Sequence, residues 1–209
     1  MNSKRLIVFG ATGRVGLCAL QQALDAGHEV TAFVRTPAKL TLTHPRLRVA
    51  QGDTLQAESV VAALHAGFDA ALMTVGVDPL RPSAVVQNSV RTIVAGMQQT
   101  GVRRYIGITG TAQMPATAFG RFGQRMVRRF IKAAADHQVA YEVVIASDLD
   151  YCLAACPYIR DGAARGRYQV VPEAFPGGFK TINPPDVANF LVKEAGEARF
   201  HRQTVGIWY

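Results

Sequence analysis

At 209 residues, with 49% hydrophobic and 18% charged side chains, the chain has a globular composition that excludes intrinsic disorder and allows a substantial core. No apolar run approaches the ~20 residues needed to span a bilayer, and Lys4 and Arg5 lead only into a short apolar run, which argues against a secretory signal. The net charge of +8 raises the question of nucleic acid, but no zinc-finger, helix-turn-helix or RNA-recognition pattern accompanies it.

Leu6-Ile7-Val8-Phe9 reads as a buried strand. Gly10-Ala11-Thr12-Gly13-Arg14-Val15-Gly16 follows, and Val15 to Ala26 is an amphipathic helix. Strand, glycine turn and helix in this order form a dinucleotide-binding pattern. The first glycine allows a sharp turn, the second lets backbone approach a diphosphate, and the third lets the helix pack on the strand. The helix then turns free N–H groups and its positive dipole end toward that diphosphate.

The second strand, His28 to Val34, ends at Arg35, with Thr36 next and Lys39 one turn on. A site for NAD would carry an acidic residue near here to bind the ribose 2′-hydroxyl. A guanidinium instead suits a 2′-phosphate through bidentate, charge-assisted hydrogen bonds, so NADP(H) is the expected cofactor. Arg14 is in reach of the same phosphate or of the diphosphate. The alternative for Arg35 is a solvated residue at a strand end.

Leu47 to Gln51 is a third strand, closed by Gly52-Asp53, and Leu55 to Ala66 is helical. A fourth strand, Phe68 to Thr74, is closed by Val75-Gly76. A helix from Ser83 to Thr100 stops at Gly101, and Arg104 to Thr109 is a fifth strand leading to Gly110-Thr111. A long basic helix covers about Ala118 to His137, and Tyr141 to Ala146 reads as a sixth strand. On that helix Arg121, Arg125, Arg128 and Lys132 form one stripe, which serves as a solvated face, an attractor of anionic cofactor and substrate, or a polynucleotide contact. Short strands at Tyr168–Val171 and Phe179–Ile182 precede a helix that starts at Asn183-Pro184-Pro185-Asp186 and runs to about Ala195.

This βαβ series predicts a Rossmann-type, doubly wound, mostly parallel α/β sheet. One domain, 1–209, is expected, with residues 147–185 forming much of a small C-terminal cap on the substrate side. Cys18 belongs to the first helix. Cys152 and Cys156, four apart, are neighbours on a helical turn, and the three cysteines show no metal or disulfide spacing. A reduced, cytoplasmic protein without a metal is the expectation.

The glycine loop, Arg35 after strand two, Gly52-Asp53 after strand three and Gly76 after strand four resemble the atypical short-chain dehydrogenase/reductases. Val90 to Met97, Gly101 to Tyr105, His137 to Val144, Gly166-Arg167-Tyr168 and Asp186-Val187-Ala188 narrow the resemblance. They point to the NmrA-like, NAD(P)H-binding group that includes biliverdin-IXβ reductase/flavin reductase. The resemblance puts Gly10, Thr12, Gly13, Arg14, Val15 and Gly16 on the diphosphate and Arg35 on the 2′-phosphate. It puts Asp53 and Thr54 by the adenine, although Asp53 is equally suited to cap the next helix. Thr74, Val75 and Gly76 would line the ribose and diphosphate. Thr109, Gly110, Ala146 and Ser147 would lie near the nicotinamide.

The chemistry departs from the better-known patterns. The Tyr-x-x-x-Lys pair of standard short-chain dehydrogenases is absent: Lys132 is there, but Arg128 stands in the tyrosine position. Where the flavin-reductase pattern has serine this chain has Gly110, with Thr111 adjacent; where it has histidine after strand six, Asp148 stands. Thr111, Lys132 and Asp148 are therefore the candidate catalytic residues, with a loop carboxylate the alternative for Asp148. The expected function is an NADPH-dependent reductase passing hydride to a small planar acceptor, a flavin, quinone or tetrapyrrole. Tyr151, Tyr158, Tyr168, Phe175 and Phe179 are candidates to stack on it, or simply to pack the C-terminal lobe. The alternative is a non-catalytic, NADP(H)-sensing regulator of NmrA type. A small-molecule partner and a monomer or homodimer complete the expectation.

Overall fold

The run Leu6 to Phe9 is apolar on both sides, as a strand sandwiched between two helical layers must be. In the computed structural model, which describes residues 3–77, 83–114 and 134–209, it forms β1 (Arg5–Phe9) at the centre of an eight-stranded sheet. The other strands are β2 (Glu29–Val34), β3 (Leu47–Gln51), β4 (Ala70–Met73), β5 (Arg104–Gly110), β6 (Asp150–Cys156), β8 (Gln169–Pro172) and β10 (Gln203–Trp208). Their order is β3-β2-β1-β4-β5-β6-β10-β8, and only β8 runs antiparallel, against β10. Beyond the carboxyl end of β6, β7 (Tyr158–Ile159) and β9 (Thr181–Ile182) form a small parallel ladder of their own.

Alternation in β1 divides the core. Leu6 and Val8 face a cluster built with α1 (Arg14–Asp25) and α5 (Pro184–Glu197), including Leu20, Leu24, Phe190 and Leu191. Ile7 and Phe9 face the opposite cluster, with α2 (Ala57–Leu64), α3 (Val85–Thr100) and α4 (Ala134–Ala146). After β3 the chain crosses back to β4 on the other side of β1, so the winding reverses between β1 and β4. Open α/β sheets bind ligands at the carboxyl ends of strands at such a point. Among the described residues no helix is long and apolar enough to cross a membrane.

The sixth strand is displaced from its expected place. Tyr141 to Ala146, rich in β-branched and aromatic residues, continues α4 instead of forming a strand. Ala140 and Val144, four apart, are buried against the sheet, so helical packing overrides strand propensity. Buried Asp136 fixes this helix to its neighbour. Its carboxylate accepts from the backbone N–H groups of Val86 (3.1 Å) and Gln87 (2.7 Å) and caps α3, which has no cap of its own.

The sixth strand is instead β6, whose seven residues pair in register with β5 from Arg104↔Asp150 to Gly110↔Cys156. Cys152 and Cys156 lie in this strand on one face, not on a helical turn. Residues 150–156 are thus sheet and not cap. The terminal strand β10 was not foreseen in the sequence at all.

Candidate functional site

The glycine loop is the best-defined part of the carboxyl edge. Gly10 has φ +79°, and a Cβ there would lie 2.6 Å from the Val75 backbone nitrogen, where the loops after β1 and β4 meet. A Cβ on Gly16 would overlap the Gly10 carbonyl oxygen and sit 2.9 Å from Ala11 Cα, so only glycine lets α1 start this close to its strand. Gly13 is the N-cap, its N–H bound to the Gly10 carbonyl at 2.9 Å. No side chain caps α1 and no acidic residue occupies its first turn. The N–H groups at Arg14, Val15 and Gly16 therefore open a positive helix end in a glycine cradle, an arrangement that fits a diphosphate. Thr12 and Arg14 are exposed beside it, and Val15 anchors the helix in the core.

Arg35 follows β2 and is exposed, with no ion pair among the described residues. Asp53 is occupied locally: its carboxylate accepts from the Leu55 N–H at 3.0 Å, capping the turn before α2, while Gln56 is the helix N-cap. Thr54 is buried, and its hydroxyl pairs with Ser89 of α3 at 2.7 Å. That hydroxyl belongs to helix packing. Thr74 likewise turns its hydroxyl to the Phe9 carbonyl at 2.8 Å, tying β4 to β1. Val75 and exposed Gly76 remain as backbone at the switch point.

At the end of β5, Thr109 is 4% exposed and its hydroxyl has no hydrogen-bond partner among the described residues. It lines a cavity of about 10 Å³, room for one water, together with Val75, Val86, His137 and Tyr141. An orphaned hydroxyl buried at the carboxyl end of a central strand is suited to a ligand group reaching the same edge. Gly110 continues into a 3₁₀ turn, Thr111–Gln113, and a Cβ on Gly110 would meet Gln113 Oε1 at 3.1 Å. Lys132, with Arg121, Arg125 and Arg128, lies outside the described residues.

Ala146, Ser147 and Asp148 are not at this edge. They precede β6, so they sit at the amino ends of the strands, beside Arg103 and across the sheet from the glycine loop. Ser147 donates to the Val144 carbonyl at 2.6 Å and serves the turn between α4 and β6. Asp148 accepts from Gln98 and Arg103, each at 2.8 Å, and those bonds hold its carboxyl below the usual carboxylate range. An ionised carboxylate on the wrong edge is not a proton donor to the site. Cys156 ends β6 and Pro157 and Tyr158 follow it, and burial pushes the Cys156 thiol up, away from any acid role.

The cap sorts the aromatic candidates. Tyr151 is buried in β6 under the Arg202 guanidinium, and Tyr168 donates to Asn189 of α5 at 3.0 Å. Phe175 packs edge-on against Trp208. Tyr158 and Phe179 instead stack on each other, centroids 6.4 Å apart, and are 57% and 85% exposed. Ile159, next to Tyr158, packs into the cluster built with α1 and α5, while the Tyr158 ring stays exposed on the small β7-β9 ladder. From the same cap Asp161 reaches Arg14 in the glycine loop at 2.6 Å. Sequence reasoning missed this carboxylate, which carries no local motif, and missed His137 as part of the Thr109 cavity.

Residues 10–198 match a family model described as NAD(P)H-binding. A 3-beta-hydroxysteroid dehydrogenase of Mycolicibacterium neoaurum is 32% identical over an alignment of 114 residues that covers 49% of this chain and 31% of that protein. The chain thus spans about a third of the length of the curated relatives it matches. Among solved structures, a Burkholderia pseudomallei protein is 26% identical with a TM-score of 0.80, covering 99% of this chain and 100% of that one. The anaerobillin reductase ChuY of Escherichia coli O157:H7 is 22% identical, with a TM-score of 0.77 over 97% and 96% of the two chains. A Veillonella parvula short-chain dehydrogenase/reductase in complex with NADP is 16% identical, with a TM-score of 0.79 over 99% and 94%. The last two likenesses are of fold.

Proposed function

The chain belongs to the NAD(P)H-binding family, and we propose that it is an NADPH-dependent reductase passing hydride to a small planar acceptor of the flavin, quinone or tetrapyrrole type. The observation that carries this reading is the acid-free start of α1 behind the glycine cradle, uncapped by any described side chain, with Arg35, unpaired among the described residues, at the end of the neighbouring strand. The dinucleotide, when bound, supplies hydride chemistry, which asks the protein chiefly for position and orientation.

Gly10, Gly13 and Gly16 admit the diphosphate, and the N–H groups at Arg14 and Val15 hydrogen-bond to it. Arg35 takes the 2′-phosphate, which distinguishes NADPH from NADH. Thr12, Val75 and Gly76 line the path between, and Asp53 closes the adenine end through its turn. Thr109, Gly110 and Thr111 border the reacting ring, and the Thr111 hydroxyl orients the acceptor. Tyr158 and Phe179 offer exposed ring faces on the cap just beyond the carboxyl end of β6, which favours a flat, conjugated acceptor over an aliphatic one. The described carboxylates of this edge are engaged elsewhere, Asp53 by the Leu55 N–H and Asp161 by Arg14, and the acceptor draws its proton from solvent. That is chemistry open to flavins, quinones and linear tetrapyrroles.

The test is NADPH oxidation followed by absorbance with FMN, FAD, quinones and biliverdin. The expected result is steady turnover that requires both an acceptor and an intact glycine loop. Tight NADPH binding with no oxidation across the panel would overturn the reading and make the protein a dinucleotide sensor.

A further inference from the structure

Arg14 lies inside the glycine loop, where the cofactor's phosphates arrive, yet it is already paired. Asp161 holds its guanidinium at 2.6 Å, and both side chains are largely exposed. The partner comes from far along the chain, and its segment is firmly tied down. Arg160 N–H donates to the Ile182 carbonyl at 2.9 Å, and the Asn183 side-chain amide donates to the Ala163 carbonyl at 2.7 Å. Gly162 packs so tightly that a Cβ would lie 2.7 Å from Asn183 Nδ2. The Arg165 and Gly166 N–H groups donate to Asp186 at 2.8 and 3.0 Å, and Asp186 also accepts from the Tyr209 hydroxyl. The Arg165 guanidinium lies over the Tyr209 ring, 4.1 Å from its centroid, which engages it away from Asp161.

We propose that Asp161 is a fixed counter-anion of the dinucleotide site, which competes with the cofactor's diphosphate for Arg14 and so sets the affinity for both NADPH and NADH. An arriving diphosphate brings negative charge to a loop that faces a carboxylate anchored within reach. Because the backbone on both sides of Asp161 is bonded to β9 and α5, the carboxylate cannot swing far away. It repels the phosphates and retains a share of the guanidinium. The inference needs only the dinucleotide site and is independent of whether hydride is then transferred.

Asp161→Asn keeps the size and a hydrogen-bond acceptor for Arg14 while removing the charge. NADPH and NADH titrations by calorimetry should show Kd lowered about two- to fivefold, the scale of an exposed ion pair. The factor should be equal for the two cofactors, because the diphosphate is common to them. In an Arg14→Gln background the same substitution should gain less, because only the direct repulsion of the phosphates is then relieved. Asp161→Ser should shift Kd in the same direction, and the unchanged backbone anchors should keep the melting temperature of both variants near that of the parent. An unchanged Kd in both would overturn the proposal. A raised Kd would overturn it too, since Asp161 would then be clasping Arg14 over the bound cofactor.

Discussion

The three loop glycines do different work, and alanine substitutions should separate that work cleanly. At Gly13 the backbone has φ −78°, which any residue adopts, and an added Cβ would meet the Gly10 carbonyl oxygen at 3.1 Å and the Thr74 carbonyl oxygen at an ordinary 4.0 Å. Gly13→Ala should therefore fold, losing no more than about 1 kcal/mol as a poorer N-cap. At Gly16 the Cβ collides with backbone that cannot yield. Overpacking of that kind costs about 1–3 kcal/mol, offset by at most about 1 kcal/mol of helix propensity. At Gly10 a left-handed φ adds to a 2.6 Å approach to Val75 N, so Gly10→Ala should be at least as damaging. Binding should follow a different order. The methyl of Gly13→Ala projects where the diphosphate must lie against the N–H groups of α1, and a lost charge-assisted bond is worth about 1.5–3 kcal/mol, or roughly tenfold or more in Kd. Urea unfolding of the three variants, beside NADPH titration, reads both quantities. A Gly13→Ala protein that binds NADPH like the parent would refute the position of the diphosphate, whatever the other two do.

Arg35→Ala should weaken NADPH by about 1.5–3 kcal/mol and leave NADH nearly unchanged in parallel titrations; equal losses would show that Arg35 does not read the 2′-phosphate. Asp136→Ala should leave the Val86 and Gln87 N–H groups without their cap and cost about 2–4 kcal/mol, seen as a fall of about 5–15 °C in Tm. Burial holds the His137 and His28 imidazoles below their ordinary value of 6.5, so the native chain resists protons that the unfolded chain takes up. Stability should therefore fall as pH drops through about 6.5, and His137→Gln should flatten that fall in urea midpoints compared near pH 7 and pH 5; an unaltered slope would discount the residue.

The first five strands were legible because each is a short apolar run stopped by glycine or followed by a periodic helix. That punctuation also located the loop at Gly10 and the cation at Arg35, since both follow strand ends directly. Position 134 onward was harder. Tyr141 to Ile145 has strand chemistry, and its packing against the sheet and α3 through Ala140 and Val144 makes it helix. Tertiary burial of that kind leaves no local mark. Asp161 was illegible for a similar reason: its meaning lies in Arg14, 147 residues away.

Misplacing one strand has a chemical consequence larger than its length. In a parallel sheet every loop after a strand lies on one edge and every loop before a strand lies on the other. Shifting the sixth strand from residues 141–146 to Asp150–Cys156 therefore carries Asp148 from the ligand edge to the opposite one. There its bonds to Gln98 and Arg103 give it a structural role and keep it ionised. The ligand edge receives Cys156-Pro157-Tyr158 in exchange, a buried thiol, an imino acid and an exposed ring. That exchange removes the one acid from the catalytic inventory and adds an aromatic face. On the proposed reading, the described part of such a site aligns a flat acceptor and leaves its protonation to solvent, which suits acceptors that need alignment more than acid.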